Sequence, residues 1–211
     1  MAQLKHIDIP ASHGRLEGLL RLPEEAEDTP RLAAVVCHPH PLFGGTMHNK
    51  TVFRLATALN EVGIPTLRFN FRGVGLSTGT YDEGRGEQDD VRSALDEAQR
   101  LFPDVALCVA GFSFGAWTGL RVACADERVR QMVGVGVPAA SLLVDTLANC
   151  AKPKLIVQGS LDQYAPEAQL RASFAAIPEP KRLEIIAGAD HFLTNHLEEL
   201  AQAVTRYFRP D

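Results

Sequence analysis

Apolar residues along this chain fall into two kinds of segment that alternate. Six short runs are almost continuously apolar: LAAVVC (32–37), IPTLRFNF (64–71), ALCVAG (106–111), QMVGVGV (131–137), KLIVQG (154–159) and RLEIIAG (182–188). Runs of that length and continuity predict parallel strands covered on both faces. Between them, apolar residues recur at helical spacing. In 50–62 the stripe is Val52, Leu55, Ala56 and Leu59, and in 88–102 it is Val91, Leu95 and Ala98. Further helices are predicted at 116–125, 142–150, 166–176 and 197–208. Ahead of this alternation, Leu4 to Ile9 and Arg15 to Leu22 flank a Ser-His-Gly turn and predict an antiparallel hairpin.

Eight strands with crossover helices predict an α/β fold, a doubly wound and mostly parallel sheet with helices on both faces, in one domain spanning 1–211. The acidic, breaker-rich segment Pro23 to Arg31 predicts an exposed loop. Ligand sites of such sheets lie at the carboxyl ends of the strands, so the residues following each apolar run carry the candidate chemistry.

After the 106–111 run the chain reads GFSFG, Gly111 to Gly115, and a helix pattern begins at once. This is the sequence form of a nucleophile elbow, a turn so tight that glycine is needed on both sides of the serine. Ser113 is therefore the candidate nucleophile. A serine hydroxyl needs an imidazole to take its proton and a carboxylate to orient that imidazole. Asp162 follows the 154–159 run and His191 follows the 182–188 run, which supplies both in the order Ser, Asp, His. Asp145 and Asp190 are the rival acids. For the oxyanion, the backbone N–H of Phe114 is the first candidate donor and a residue of the loop after 32–37 the second. That loop reads His38-Pro39-His40-Pro41. Because proline has no N–H, His40 is the first choice there and Leu42 the alternative.

Other features narrow the reading. His38 and His40 have HxH spacing, but acids and cysteines at ligand spacing are missing nearby, so no metal is expected. The RGVG stretch, Arg72 to Gly75, lacks the Lys-Ser/Thr of a phosphate loop and reads as a structural turn. Asp89 and Asp90 open a helix, and one of them is a reasonable partner for Arg72. Trp117 reads as core. Cys37, Cys108, Cys124 and Cys150 are scattered and read as buried structural thiols, with Cys37, just before the candidate loop, the one considered for redox sensitivity. A net charge of -5 offers nothing to nucleic acid or an anionic membrane. The first residues lack the apolar core of a signal peptide and no run approaches a membrane span, which gives a cytoplasmic expectation.

Taken together, HPHPLFGG, FNFRGVGLSTG, GFSFG, GSLD and GADHF resemble the α/β-hydrolase superfamily, most closely its small bacterial members without a cap domain, often labelled dienelactone-hydrolase-like. The resemblance covers essentially the whole chain. It departs from dienelactone hydrolases proper at Ser113, where those have cysteine. It implies cleavage of a small acyl ester without a cofactor, through Ser113, His191 and Asp162. A thioesterase or a small-peptide or amide hydrolase would use the same residues. A non-catalytic binding protein on the same fold is the alternative from another class. The segment Pro138 to Pro153, where the superfamily inserts caps, has room for one short helix, so an open cleft and small acyl groups are expected.

Overall fold

The computed structural model describes residues 3–24 and 30–209, apart from the side chains of 140–142. Most of the predicted acidic loop, residues 25–29, lies outside the described residues. Eight strands form one sheet: β1 (Leu4–Ala11), β2 (Gly14–Arg21), β3 (Leu32–Cys37), β4 (Thr66–Phe69), β5 (Ala106–Phe112), β6 (Val129–Val135), β7 (Lys154–Gly159) and β8 (Lys181–Ile186). Their order is β1-β2-β4-β3-β5-β6-β7-β8. β1 and β2 form the expected hairpin, with Leu4 opposite Arg21 and Ala11 opposite Gly14. β2 pairs antiparallel with β4, and every later pairing is parallel.

Among the described residues five α-helices connect strands, α1 (Lys50–Glu61), α2 (Arg85–Leu101), α3 (Phe114–Ala125), α4 (Ala140–Leu147) and α5 (Glu167–Ala176), and a sixth, α6 (Leu197–Phe208), follows β8. Although β3 is apolar throughout, its residues divide between two cores by parity. Ala33, Val35 and Cys37 of β3 join the core with α2, α3, α4 and α5, whereas Ala34 and Val36 join the core with α1 and α6.

Two boundaries differ from the pattern for identifiable reasons. β4 occupies only 66–69 of its apolar run: the Asn70 N–H still donates to the Glu17 carbonyl of β2 at 2.8 Å, but the chain then turns away and the Phe71 N–H donates to the His38 ring at 3.0 Å. α2 begins at Arg85, earlier than the apolar stripe suggests, because buried Glu87 reaches back. Its carboxylate accepts from the Gly84 N–H at 2.7 Å and the Asp82 N–H at 2.9 Å, which satisfies donors at the helix start. Between β6 and β7, residues 136–153 contain only α4, so no cap covers the carboxyl ends of the strands. No helix among the described residues is long and apolar enough to cross a membrane.

Candidate active site

Ser113 occupies the one-residue junction between β5 and α3 with φ 55° and ψ −119°, a conformation an L side chain adopts only under strain. Glycine permits the junction on both sides. A Cβ on Gly111 would overlap the Gly115 carbonyl, and one on Gly115 would overlap the carbonyl oxygens of Cys37 and His38 at the end of β3. The Ser113 N–H donates to the Val135 carbonyl at 2.9 Å, which fixes the elbow to β6.

The loops after β7 and β8 are laced together. The N–H groups of Ser160 and Leu161 donate to the carbonyls of Ile186 and Ala189, and the Gly188 N–H donates to Ser160 Oγ. This lacing brings Asp162 and His191 together. His191 Nδ1 lies 2.7 Å from Asp162 Oδ2, and His191 Nε2 lies 3.0 Å from Ser113 Oγ. Asp162 and His191 are buried while Ser113 is half-buried, so the relay is dry at its carboxylate end and open at its hydroxyl end. The carboxylate divides its work: Oδ1 accepts from the Tyr164 N–H at 2.8 Å, the local turn role common for aspartate, and Oδ2 faces the imidazole. Neither rival hydrogen-bonds to His191 among the described residues. Asp145 is exposed on α4, and Asp190 accepts from the N–H and hydroxyl of Thr194, bonds that hold its carboxyl below the usual range.

Gln158 belongs to this arrangement and was not singled out in the sequence. Its amide donates to Asp162 Oδ2 at 2.6 Å, and its own oxygen accepts from the Val137 N–H at 2.9 Å. The available signal was a polar residue near the end of an otherwise apolar strand, four residues before the acid.

On the opposite side of Ser113, the N–H groups of Phe114 and His40 have no acceptor among the described residues, whereas the Leu42 N–H already donates to His40 Nδ1 at 3.2 Å. His40 precedes a 3-10 turn, Pro41–Phe43, and its carbonyl accepts from the N–H groups of Phe43 and Gly45. Burial lowers the His40 pKa below its ordinary value. His38 sits apart from this surface. Its Nε2 accepts from the Phe71 N–H, its Nδ1 faces the Pro39 carbonyl at 2.6 Å, and burial lowers its pKa to about 4. With both of its ring nitrogens committed, His38 is a brace between the end of β3 and the chain just past β4. Among the described residues, no group of three His, Cys, Asp or Glu is placed to hold a metal ion.

The surroundings of the site are apolar and open. Phe43 is 85% exposed, and Leu42, Leu161, Tyr164 and Phe192 also face solvent. The Tyr164 and Phe192 rings stand edge-on to His191, with centroids 4.6 and 5.3 Å away. Beside them a cleft of about 810 Å³ runs between Gly44–Arg54 and Phe192–Glu198.

Arg72 clamps Asp90 through its N–H and its guanidinium, at 2.7 Å for the shortest contact, and His13 meets the same carboxylate at 2.9 Å. The RGVG segment is thus a turn tied to α2 and the hairpin. Trp117 is half-buried at the edge of the core, where it packs on Phe114. Cys37 is fully buried, and that burial pushes its thiol pKa up, which removes the sequence argument for redox sensitivity there. The thiols that meet are Cys124 and Cys150, and their hydrogen bond lowers the Cys150 pKa to about 6.

A lidless parallel sheet carrying a serine at a strand-to-helix elbow, within reach of a buried histidine, defines a hydrolase architecture. The chain belongs to the α/β-hydrolase family, whose domain model matches residues 34–204. An uncharacterised protein of Rickettsia prowazekii is 32% identical over 203 residues, covering 92% of this chain and 84% of that one. Among solved structures, an alpha-beta serine hydrolase homologue from Coxiella burnetii is similar at a TM-score of 0.88 and 38% identity, covering 96% of each chain. A Xanthomonas campestris serine hydrolase described as lacking a lid is similar at a TM-score of 0.87 and 32% identity, over 97% of this chain and 93% of that one.

Proposed function

We propose that this hydrolase cleaves small carboxylic esters through an acyl-enzyme on Ser113. The observation that carries the reading is the unbroken hydrogen-bonded series Asp162, His191, Ser113. His191 Nδ1 gives its proton to the Asp162 hydrogen bond, which leaves Nε2 free to take the Ser113 proton as Oγ attacks the carbonyl. The N–H groups of Phe114 and His40 hold the oxyanion, aided by the positive end of α3. His191 then protonates the leaving alcohol and activates the water that releases the acid. The mechanism needs no cofactor.

The lidless rim supports small acyl groups that enter from solvent, with Phe43, Tyr164 and Phe192 as the apolar surface they meet. Incubation with a fluorophosphonate probe tests the reading: one adduct, on Ser113, is expected in the folded protein, and no adduct sinks it. Turnover of p-nitrophenyl esters should favour acetate and butyrate over laurate, with no rate jump at a lipid droplet surface.

A further inference from the structure

We infer that Tyr81 is a positioning residue for the oxyanion site, acting through the imidazole of His40. The inference rests on the serine-hydrolase reading and adds to it a residue that never touches substrate.

Proton bookkeeping on one ring supplies the argument. The Leu42 N–H donates to His40 Nδ1, so that nitrogen carries a lone pair and no proton. A neutral imidazole must then carry its proton on Nε2, which lies 3.2 Å from Tyr81 Oη. The Nε2–H therefore donates and the phenol oxygen accepts. Burial favours the neutral ring that this pattern requires.

Both ring nitrogens and the carbonyl oxygen of His40 are thus committed within the chain, which leaves its N–H as the one polar atom of this residue without a partner among the described residues. The ring is further held by Phe43, Tyr81 and Phe114, with centroids 4.6, 5.0 and 4.9 Å away. Phe114 carries the other candidate donor, so a single aromatic cluster sets the relation between the two N–H groups. Tyr81 is itself anchored, because the N–H of the next residue, Asp82, donates to buried Glu87 at 2.9 Å. Rigidity passes from the start of α2 through Tyr81 to His40.

Removing the phenol oxygen leaves the His40 Nε2–H without its acceptor. The ring can then exchange tautomer or turn, the Leu42 N–H loses its acceptor, and the 3-10 turn that aims the His40 N–H loosens. Tyr81→Phe keeps the ring contacts and removes only that oxygen.

The test compares a p-nitrophenyl ester with its thiono analogue, in which sulfur replaces the carbonyl oxygen. Sulfur is larger and a weaker acceptor, so the oxo/thiono rate ratio reports donor geometry. Tyr81→Phe is expected to lower kcat on the oxo ester about tenfold with KM within twofold, and to lower the oxo/thiono ratio. Nitrogen-15 spectra of labelled histidine should show His40 as a single Nε2–H tautomer in the wild type and as a mixture in the variant. An unchanged ratio, an equal loss on both esters, or an unaltered His40 tautomer overturns the inference while leaving the hydrolase reading intact. Absence of a fluorophosphonate adduct on wild-type Ser113 overturns both.

Discussion

Gln158 donates to the same oxygen of Asp162 that faces His191, so the carboxylate is held from the strand side and the loop side at once. A buried carboxylate oxygen that accepts two short hydrogen bonds has little freedom to rotate away from its histidine. Replacing Gln158 with Leu should lower kcat about tenfold and cost roughly 1–3 kcal/mol, because the buried Val137 N–H also loses its acceptor. Steady-state kinetics and urea unfolding check the two effects separately, and a variant with wild-type kcat would refute the orienting role.

The acid is expected to be singular. Asp162→Asn should reduce kcat by about 10⁴, since the amide favours the wrong imidazole tautomer. Asp145→Asn and Asp190→Asn should stay within threefold of wild type. A comparable loss at either rival would move the acid assignment.

Backbone strain at Ser113 makes a stability prediction. Alanine there retains the disfavoured φ of 55°, whereas glycine relieves it. Both variants should lose turnover by at least about 10⁴. Ser113→Gly should be more stable than Ser113→Ala by about 1 kcal/mol in urea titrations, on the ordinary cost of a left-handed residue. The reverse order would contradict the elbow geometry.

His38 links stability to pH. Its folded pKa of about 4 lies below its unfolded value near 6.5, so between those values the unfolded chain binds more protons than the folded one. Stability is therefore lost as pH falls from about 6.5 towards 4. The slope from this group approaches 1.4 kcal/mol per pH unit within that window and levels off below it. Calorimetric unfolding at pH 5.5 in buffers of different ionisation enthalpy should report uptake of about one proton or more. No uptake would show that the ring is charged in the fold.

The Cys124 and Cys150 contact predicts the order of thiol reactivity. Alkylation of the native protein at pH 7 should modify Cys150, whose pKa Cys124 lowers, before Cys124, whose pKa the same interaction raises, and before Cys37 and Cys108, whose pKa values burial raises. Peptide mapping after a short iodoacetamide pulse would show it, and early labelling of Cys37 would be inconsistent with its burial.

Strand identities, the hairpin and the elbow were legible because apolar runs, glycine punctuation and the residue after each run are local properties. Ser113, Asp162 and His191, which lie within hydrogen-bond reach of one another, were singled out by the same logic, since strand ends gather at one edge of a parallel sheet. Features that depend on which face meets which neighbour were not legible. Gln158 was passed over because its partners, the Val137 N–H and Asp162, come from segments that the fold, not the strand pattern, sets beside β7. Cys37, read as a buried structural thiol, is one, and its side chain points into the core beneath α2 and α3, away from the loop that had raised redox sensitivity. The early start of α2 came from Glu87 folding back on the chain, which no apolar periodicity records.

The absence of a side chain at Gly115 acts as a length gauge for the molecule. α3 can approach the end of β3 only to the distance that a bare Cα allows, against the carbonyls of Cys37 and His38. Phe114 rides on that helix and His40 on the chain just past that strand. Backbone contact therefore sets a floor on the spacing between the two N–H groups, within which the rings around His40 act, and that floor holds whatever occupies the open rim above it.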